Sequence, residues 1–122
     1  MKFHITAPGA LNYFSAYGEG FVRVGEQRHE RNLIVTPERV LDWGAVSFEA
    51  LTEADFEPVL GLDVDILLLG TGAKQRFPHP RLTRALAAKR IGVEAMDLQA
   101  ACRTFNILVV EERRVAAALL FA

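Results

Sequence analysis

The run Ile66-Leu67-Leu68-Leu69 is bounded by Asp65 on one side and Gly70-Thr71-Gly72 on the other. Uninterrupted aliphatic residues stopped by small ones read as a buried strand, which other elements must cover. The residues after the glycines include Lys74 and Arg76 and no acid. In an α/β protein, a buried strand that ends in small residues ahead of a helix is where ligands usually bind, because side chains no longer block backbone N–H groups. Position therefore marks Gly70 to Arg76 as the functional edge, although no catalytic set accompanies it.

Beyond Arg76 the chain alternates between helix and strand. Pro78 and Pro80 introduce a helix with Leu82, Ala85, Leu86 and Lys89 at helical spacing, its leucines facing inward and Lys89-Arg90 suited to its C-terminal end. Ile91 to Met96 reads as a second strand, and the helix between makes a right-handed βαβ crossover with parallel strands. Asp97 caps the next helix, in which Leu98, Ala101, Cys102, Phe105, Leu108 and Val109 form one stripe. Glu111 to Arg114 makes a polar exit. Val115 to Phe121 is a final buried strand or further helix, between which periodicity does not choose over so short a run.

The first half is β-rich. Asn12–Tyr17 and Phe21–Val24 flank Gly18-Glu19-Gly20 and predict a hairpin-like reversal, with another turn at Gly25-Glu26. Asn32–Val35 is a further strand that Pro37 ends, and Arg39–Asp42 is a short one. Trp43 is expected in the core or at its edge. Thr52 is expected to cap the N–H of Asp55, with Leu51 and Phe56 as a hydrophobic staple, and Pro58 to return the chain to extended form.

At 122 residues, 51% hydrophobic and 24% charged, the chain fits one globular domain spanning 1–122. The formal net charge of -1 argues against a globally basic nucleic-acid binder. No apolar run approaches the roughly 18 residues of a membrane span. The N-terminal stretch has neither a long apolar region nor the Arg-rich character of a transit peptide, so a cytoplasmic, bacterial setting is expected. Cys102 reads as a buried small hydrophobe rather than a nucleophile.

Charge is distributed unevenly. Val40 to Ala73 carries Asp42, Glu49, Glu53, Asp55, Glu57, Asp63 and Asp65 and no Lys or Arg; Lys74, Arg76, Arg81, Arg84, Lys89 and Arg90 then come without an acid among them. Such a basic stretch can bind an anion or an acidic partner, or can be a solvated face balanced by the acidic one.

Catalytic templates fail. Gln75 stands after Lys74 where a dinucleotide fingerprint needs glycine and a P-loop needs Ser or Thr. His4, His29 and His79 lack metal-ligand spacing, and there is no Gly-x-Ser-x-Gly elbow. Asp97 and Glu94 are assigned the plainer roles of a cap and an exposed strand residue. Asn106, at the border of the helical stripe, needs partners if buried. It is expected to bond backbone, with the Gly70–Ala73 loop as the candidate, or else to line a cleft with Thr71 and Lys74. No catalytic residue, cofactor or metal site is expected.

Gly70-Thr71-Gly72, the turn Gly92-Val93-Glu94-Ala95-Met96-Asp97, Thr104-Phe105-Asn106 and the ending Arg114-Val115-Ala116-Ala117-Ala118-Leu119 resemble the domain shared by mitochondrial respiratory complex I assembly factor 3 and small archaeal and bacterial proteins of unknown function. Tyr17-Gly18-Glu19-Gly20-Phe21 and Trp43 add to it. The resemblance implies a three-layer α/β domain with a central mixed sheet, and a non-catalytic helper acting through protein contacts. Many family members have Gly where this chain has Glu112, so the last turn departs from the pattern.

Two functions fit these residues. The first is a protein-binding or assembly module whose basic segment, through Arg76, Phe77, Arg81 and Arg84, meets an acidic partner surface. The second is a small-anion or metabolite site at Gly70, Thr71, Gly72, Lys74 and Asn106, open to an enzymatic role. The first is preferred.

Overall fold

The computed structural model describes residues 10–121; His4 and the rest of the first nine residues lie outside them. Eight strands and three α-helices succeed one another among the described residues. The strands β1 (Phe14–Gly18), β2 (Phe21–Val24) and β3 (Gln27–His29) form an antiparallel three-stranded sheet. A five-stranded sheet has the order β5-β4-β8-β6-β7, from β4 (Leu33–Val35), β5 (Val40–Asp42), β6 (Ile66–Thr71), β7 (Gly92–Met96) and β8 (Val115–Leu120). β8 is antiparallel to β4 and parallel to β6, and β6 is parallel to β7, so the sheet is mixed. The helices are α1 (Glu57–Leu60), α2 (Arg84–Ala88) and α3 (Leu98–Val110).

Alternate residues of the five-stranded sheet feed two separate cores. Leu33, Val35, Leu68, Val115, Ala117 and Leu119 pack with α3 and with Phe14, Val22 and Val24 of the small sheet. Ile34, Leu67, Leu69, Ala116, Ala118 and Leu120 pack on the other face with Trp43, Phe56, Val59 and Leu86. This period of two on both faces is why β6 and β8 read as continuous apolar runs. The expected three-layer α/β architecture with a central mixed sheet is therefore present. The chain steps outward from β6 to β7 and back past β6 to β8; right-handed crossovers then require α2 and α3 on opposite faces, where they lie.

Several local expectations hold for the reasons that suggested them. Asp97 caps α3, its carboxylate accepting the Ala100 N–H at 2.8 Å, and the stripe from Leu98 to Val109 faces the core. Cys102 is buried, and burial pushes its thiol pKa up to about 12, so it stays protonated. Trp43 is buried, donates Nε1–H to the Asp55 carbonyl at 2.7 Å and meets Phe56 edge-on. Leu51 and Phe56 are both buried in the core on that side.

Others are settled between alternatives or corrected. The segment from Val115 is a strand rather than further helix, buried throughout, because only a central position between β4 and β6 covers both its faces. The turn at Gly25-Glu26 leads into β3, whose polar residues carry no apolar signal. The helix expected at Thr52 begins as a 3-10 turn over Glu53–Phe56, and the Asp55 N–H bonds the Thr52 carbonyl at 3.1 Å. The Asp55 carboxylate in turn accepts the Thr52 N–H at 2.9 Å and its hydroxyl at 3.2 Å. Pro58 does not end the helical stretch; it sits in the first turn of α1, where its missing N–H costs nothing. The helix after Pro80 begins as another 3-10 turn, and its leucines face inward as expected, with Leu86 buried and Leu82 packed against the same core.

Two polar clasps join distant segments. Asn106 Oδ1 accepts the Phe14 N–H at 2.8 Å and Nδ2 donates to the Phe14 carbonyl at 2.9 Å, so the α3 amide acts as a surrogate neighbour for β1. Asn32 donates to the Ala45 carbonyl at 2.8 Å and accepts the Phe121 N–H at 2.9 Å. Arg114 bonds both Asp63 and Asp65 at the start of β6. The Arg114 hydrogen bond, with the charges of Arg114 and Arg113, holds the Asp65 carboxyl below its ordinary value against a weaker opposing effect of desolvation. That contribution to stability is present above the unfolded pKa and is lost as pH falls through the depressed folded value.

The exit from α3 explains the departure at Glu112. The Glu112 N–H bonds the Val109 carbonyl and the Arg113 N–H the Leu108 carbonyl, each at 2.9 Å. Those paired bonds close the helix with a residue in the left-handed region, and Glu112 has φ 63°. Glycine fits this position better, so Glu112→Gly is expected to exceed Glu112→Ala in stability by about 0.5–1 kcal/mol in urea denaturation; the reverse order would refute the strain. Asn106→Ala leaves both Phe14 backbone groups without their partner and is expected to cost about 1–3 kcal/mol. Asn106→Asp, which sets a carboxylate oxygen against the Phe14 carbonyl, is expected to melt no higher than Asn106→Ala at neutral pH.

Candidate functional site

The glycine-threonine-glycine motif is placed at the C-terminal end of β6, but not as an open cradle. Gly70 and Thr71 are still strand residues, paired with Leu119 and Leu120 of β8, so the loop begins at Gly72 rather than Gly70. A Cβ on Gly70 would stand 2.9 Å from Leu119 Cδ2 and 3.2 Å from Ala101 Cβ. Gly70 is thus glycine because α3 packs closely on the sheet there. Gly72 has φ 83°, the left-handed conformation that turns the chain away from β6.

Thr71 is fully buried and its hydroxyl is saturated. It donates toward the Lys74 carbonyl at 2.7 Å, with the Met96 carbonyl at 3.2 Å, and accepts the Arg76 N–H at 3.0 Å. The Gly72 carbonyl takes the Leu98 N–H at 2.8 Å, and Asp97 takes that of Ala100, so donors at the start of α3 are engaged within the fold. Asn106 does not reach this end: it bonds Phe14, not the Gly70–Ala73 loop, because the border of the α3 stripe faces the small sheet. Lys74 is exposed.

A cleft of about 360 Å³ does open beside Gly72, between the tip of the β1–β2 hairpin and the start of α3. Its charged lining residues are Glu19 and Asp97, both acids, which repel the small anion that Lys74 was expected to hold. Thr71, Lys74 and Asn106 are absent from its lining. A larger cleft, about 440 Å³, lies at the opposite end of the sheet by Val64 and Val115. Among the described residues, no three of His, Cys, Asp and Glu are grouped to hold a metal ion. His79 caps the 3-10 turn before α2 through Nδ1, which accepts the Arg81 N–H at 3.1 Å.

The basic segment is brought together with part of the acidic one. Arg76 Nη2 donates to the Thr71 carbonyl at 2.8 Å, its guanidinium lies 4.7 Å from the centre of the Phe48 ring, and Nη1 meets Glu49 at 2.9 Å. Arg84 pairs with Glu53 at 3.0 Å, and Lys89 donates to the Leu60 carbonyl at 2.9 Å. Phe77, the residue after Arg76 in the chain, is 72% exposed. Arg81 is exposed and has no ion pair among the described residues. Phe48, Glu49 and Glu53 were missed as members of this face. Their signal in the sequence was the acidic run itself, which implies compensation without saying which cation each acid meets.

Among the described residues, no helix is long and apolar enough to cross a membrane. Comparison with known proteins matches residues 14–120 to a family described as a protein of unknown function, DUF498/DUF598. A mouse protein named NADH dehydrogenase (ubiquinone) 1 alpha subcomplex assembly factor 3 is 35% identical over 115 residues, which cover 93% of this chain and 62% of that protein. The chain therefore spans less than two thirds of that relative. A crystal structure of a Bordetella parapertussis protein superposes with a TM-score of 0.87 at 41% identity, over 93% of this chain and 98% of that one. A solution structure from Bordetella pertussis, described as an Mth938-like domain, has a TM-score of 0.81 at 35% identity, covering 98% of this chain and 92% of that one. With the family match extending from β1 to the end of β8, the chain belongs to the DUF498/DUF598 family and has its Mth938-like fold.

Proposed function

We propose that this chain is a non-catalytic protein-binding module that helps assemble a larger complex, and that it meets its partner through the face formed by Arg76, Phe77, Arg81 and Arg84. The observation that carries the reading is Phe77, a large aromatic 72% exposed in the segment that carries Arg76, Arg81 and Arg84. An exposed aromatic beside arginines has the composition of an interface anchor, since Phe and Arg are enriched at protein contacts and the surrounding charge orients the encounter. Two further facts support it. The hydroxyl and carbonyl of Thr71 at the end of β6 are engaged within the fold by Lys74 and Arg76. The mouse relative's name describes an assembly factor, and the aligned region takes in 93% of this chain.

The test is charge reversal on the exposed cations. Arg81→Glu with Arg84→Glu is expected to reduce recovery of a client in pull-downs from the native organism by about tenfold or more. The thermal melting curve should stay nearly unchanged, because both side chains lie at the surface. Full retention of the client by this variant would overturn the assignment of the face.

A further inference from the structure

We infer that Glu49 is an internal stand-in on Arg76, and that the partner docks by replacing it with a carboxylate of an acidic segment whose apolar side chain covers Phe77. This rests on the protein-binding reading of the same face and specifies the chemistry of the partner.

Arg76 is held by three contacts of unequal character. The bond to the Thr71 carbonyl and the Phe48 ring fix the guanidinium against the end of β6, and the Arg76 side chain is only 25% exposed. The third contact, to Glu49, is the one that solvent reaches, with the Glu49 side chain 74% exposed. The cation is thus immobilised before any partner arrives, which lowers the ordering cost of binding a carboxylate. Arg76 Nε is buried without a hydrogen-bond partner among the described residues, so the donor that an incoming carboxylate can take over is Nη1, the one now on Glu49.

Arg84 repeats the arrangement in weaker form. Its pair with Glu53 is exposed on both sides, at 71% and 50%, and pairs of this kind exchange easily with other anions. Arg81, without an acid, and Phe77 complete the surface. An anchored cation and an exposed one, each paired with a displaceable acid of the same chain, together with the exposed Arg81, fit a segment of Asp or Glu residues. The exposed Phe77 ring requires that such a segment also bring an apolar group.

A fluorescein-labelled oligoglutamate peptide carrying one tryptophan, and its oligoglutamine counterpart, serve as probes in fluorescence anisotropy with the full chain. Glu49→Gln is expected to bind the acidic peptide roughly threefold tighter than wild type, because one competing carboxylate is gone. Glu111→Gln removes the same charge beyond α3, on the other side of the central sheet, and should leave affinity unchanged. In NMR titration the Arg76 Nε–H signal should shift with the acidic peptide and stay still with the glutamine one. Equal effects of Glu49→Gln and Glu111→Gln, or an unmoved Arg76 signal, would overturn the exchange. If Glu49→Gln changes nothing while Arg81→Glu with Arg84→Glu loses the client, the exchange alone falls. If no variant binds either peptide and the charge-reversed protein keeps its client, the face itself is wrong.

Discussion

The register between β6 and β8 sets the dimensions of the whole molecule. Leu67, Leu68 and Leu69 stand opposite Ala116, Ala117 and Ala118, and all six are fully buried. Each large side chain on one strand is matched by a methyl group on the next, so both faces of the sheet centre can be covered closely without voids or overlap. β8 also joins the antiparallel half of the sheet to the parallel half. Both cores draw on it: Val115, Ala117 and Leu119 face α3, while Ala116, Ala118 and Leu120 face Trp43 and Leu86.

The shape of the chain at the end of β6 is a product of that packing. Small residues at the sheet centre let α3 come down on β6 so closely that a side chain at Gly70 would crowd both Ala101 of α3 and Leu119 of β8. With β6 continuing through Thr71, the hydroxyl of Thr71 falls where it ties the returning loop at Lys74 and Arg76. Arg76 then reaches back to the Thr71 carbonyl and over Phe48. The motif that marks the edge in sequence is spent on building it. Phe77, next in sequence to Arg76, is left facing solvent, which is why the proposed reading places a protein contact here rather than a small-molecule site.

Elements that depend on near neighbours were readable from the sequence. The α3 stripe, the Asp97 cap and the hairpin at Gly18-Glu19-Gly20 all rest on residues within a few positions of one another. The parallel pairing of β6 and β7 was legible in the helical pattern between them. Features fixed by distant contacts were not. Gly70 looked like the start of a loop because its reason, Ala101 and Leu119, lies far along the chain. Asn106 was recognisable as needing a partner, but Phe14 is 92 residues away. Arg76 and Glu49, 27 residues apart, were legible as opposite charges and not as a pair. The left-handed turn at Glu112 was visible only as a departure from a pattern of glycine.

The central claim is that the Phe77 side of the central sheet, and not the apolar outer side of α3, faces the partner. Val110, 83% exposed on α3, offers the natural comparison. Photo-cross-linking in the native organism, with benzoylphenylalanine introduced at position 77 in one strain and at position 110 in another, tests it directly. Covalent capture of one client from position 77, with none from position 110, is the expected result. Capture from position 110 alone would contradict the claim and transfer the interface to α3.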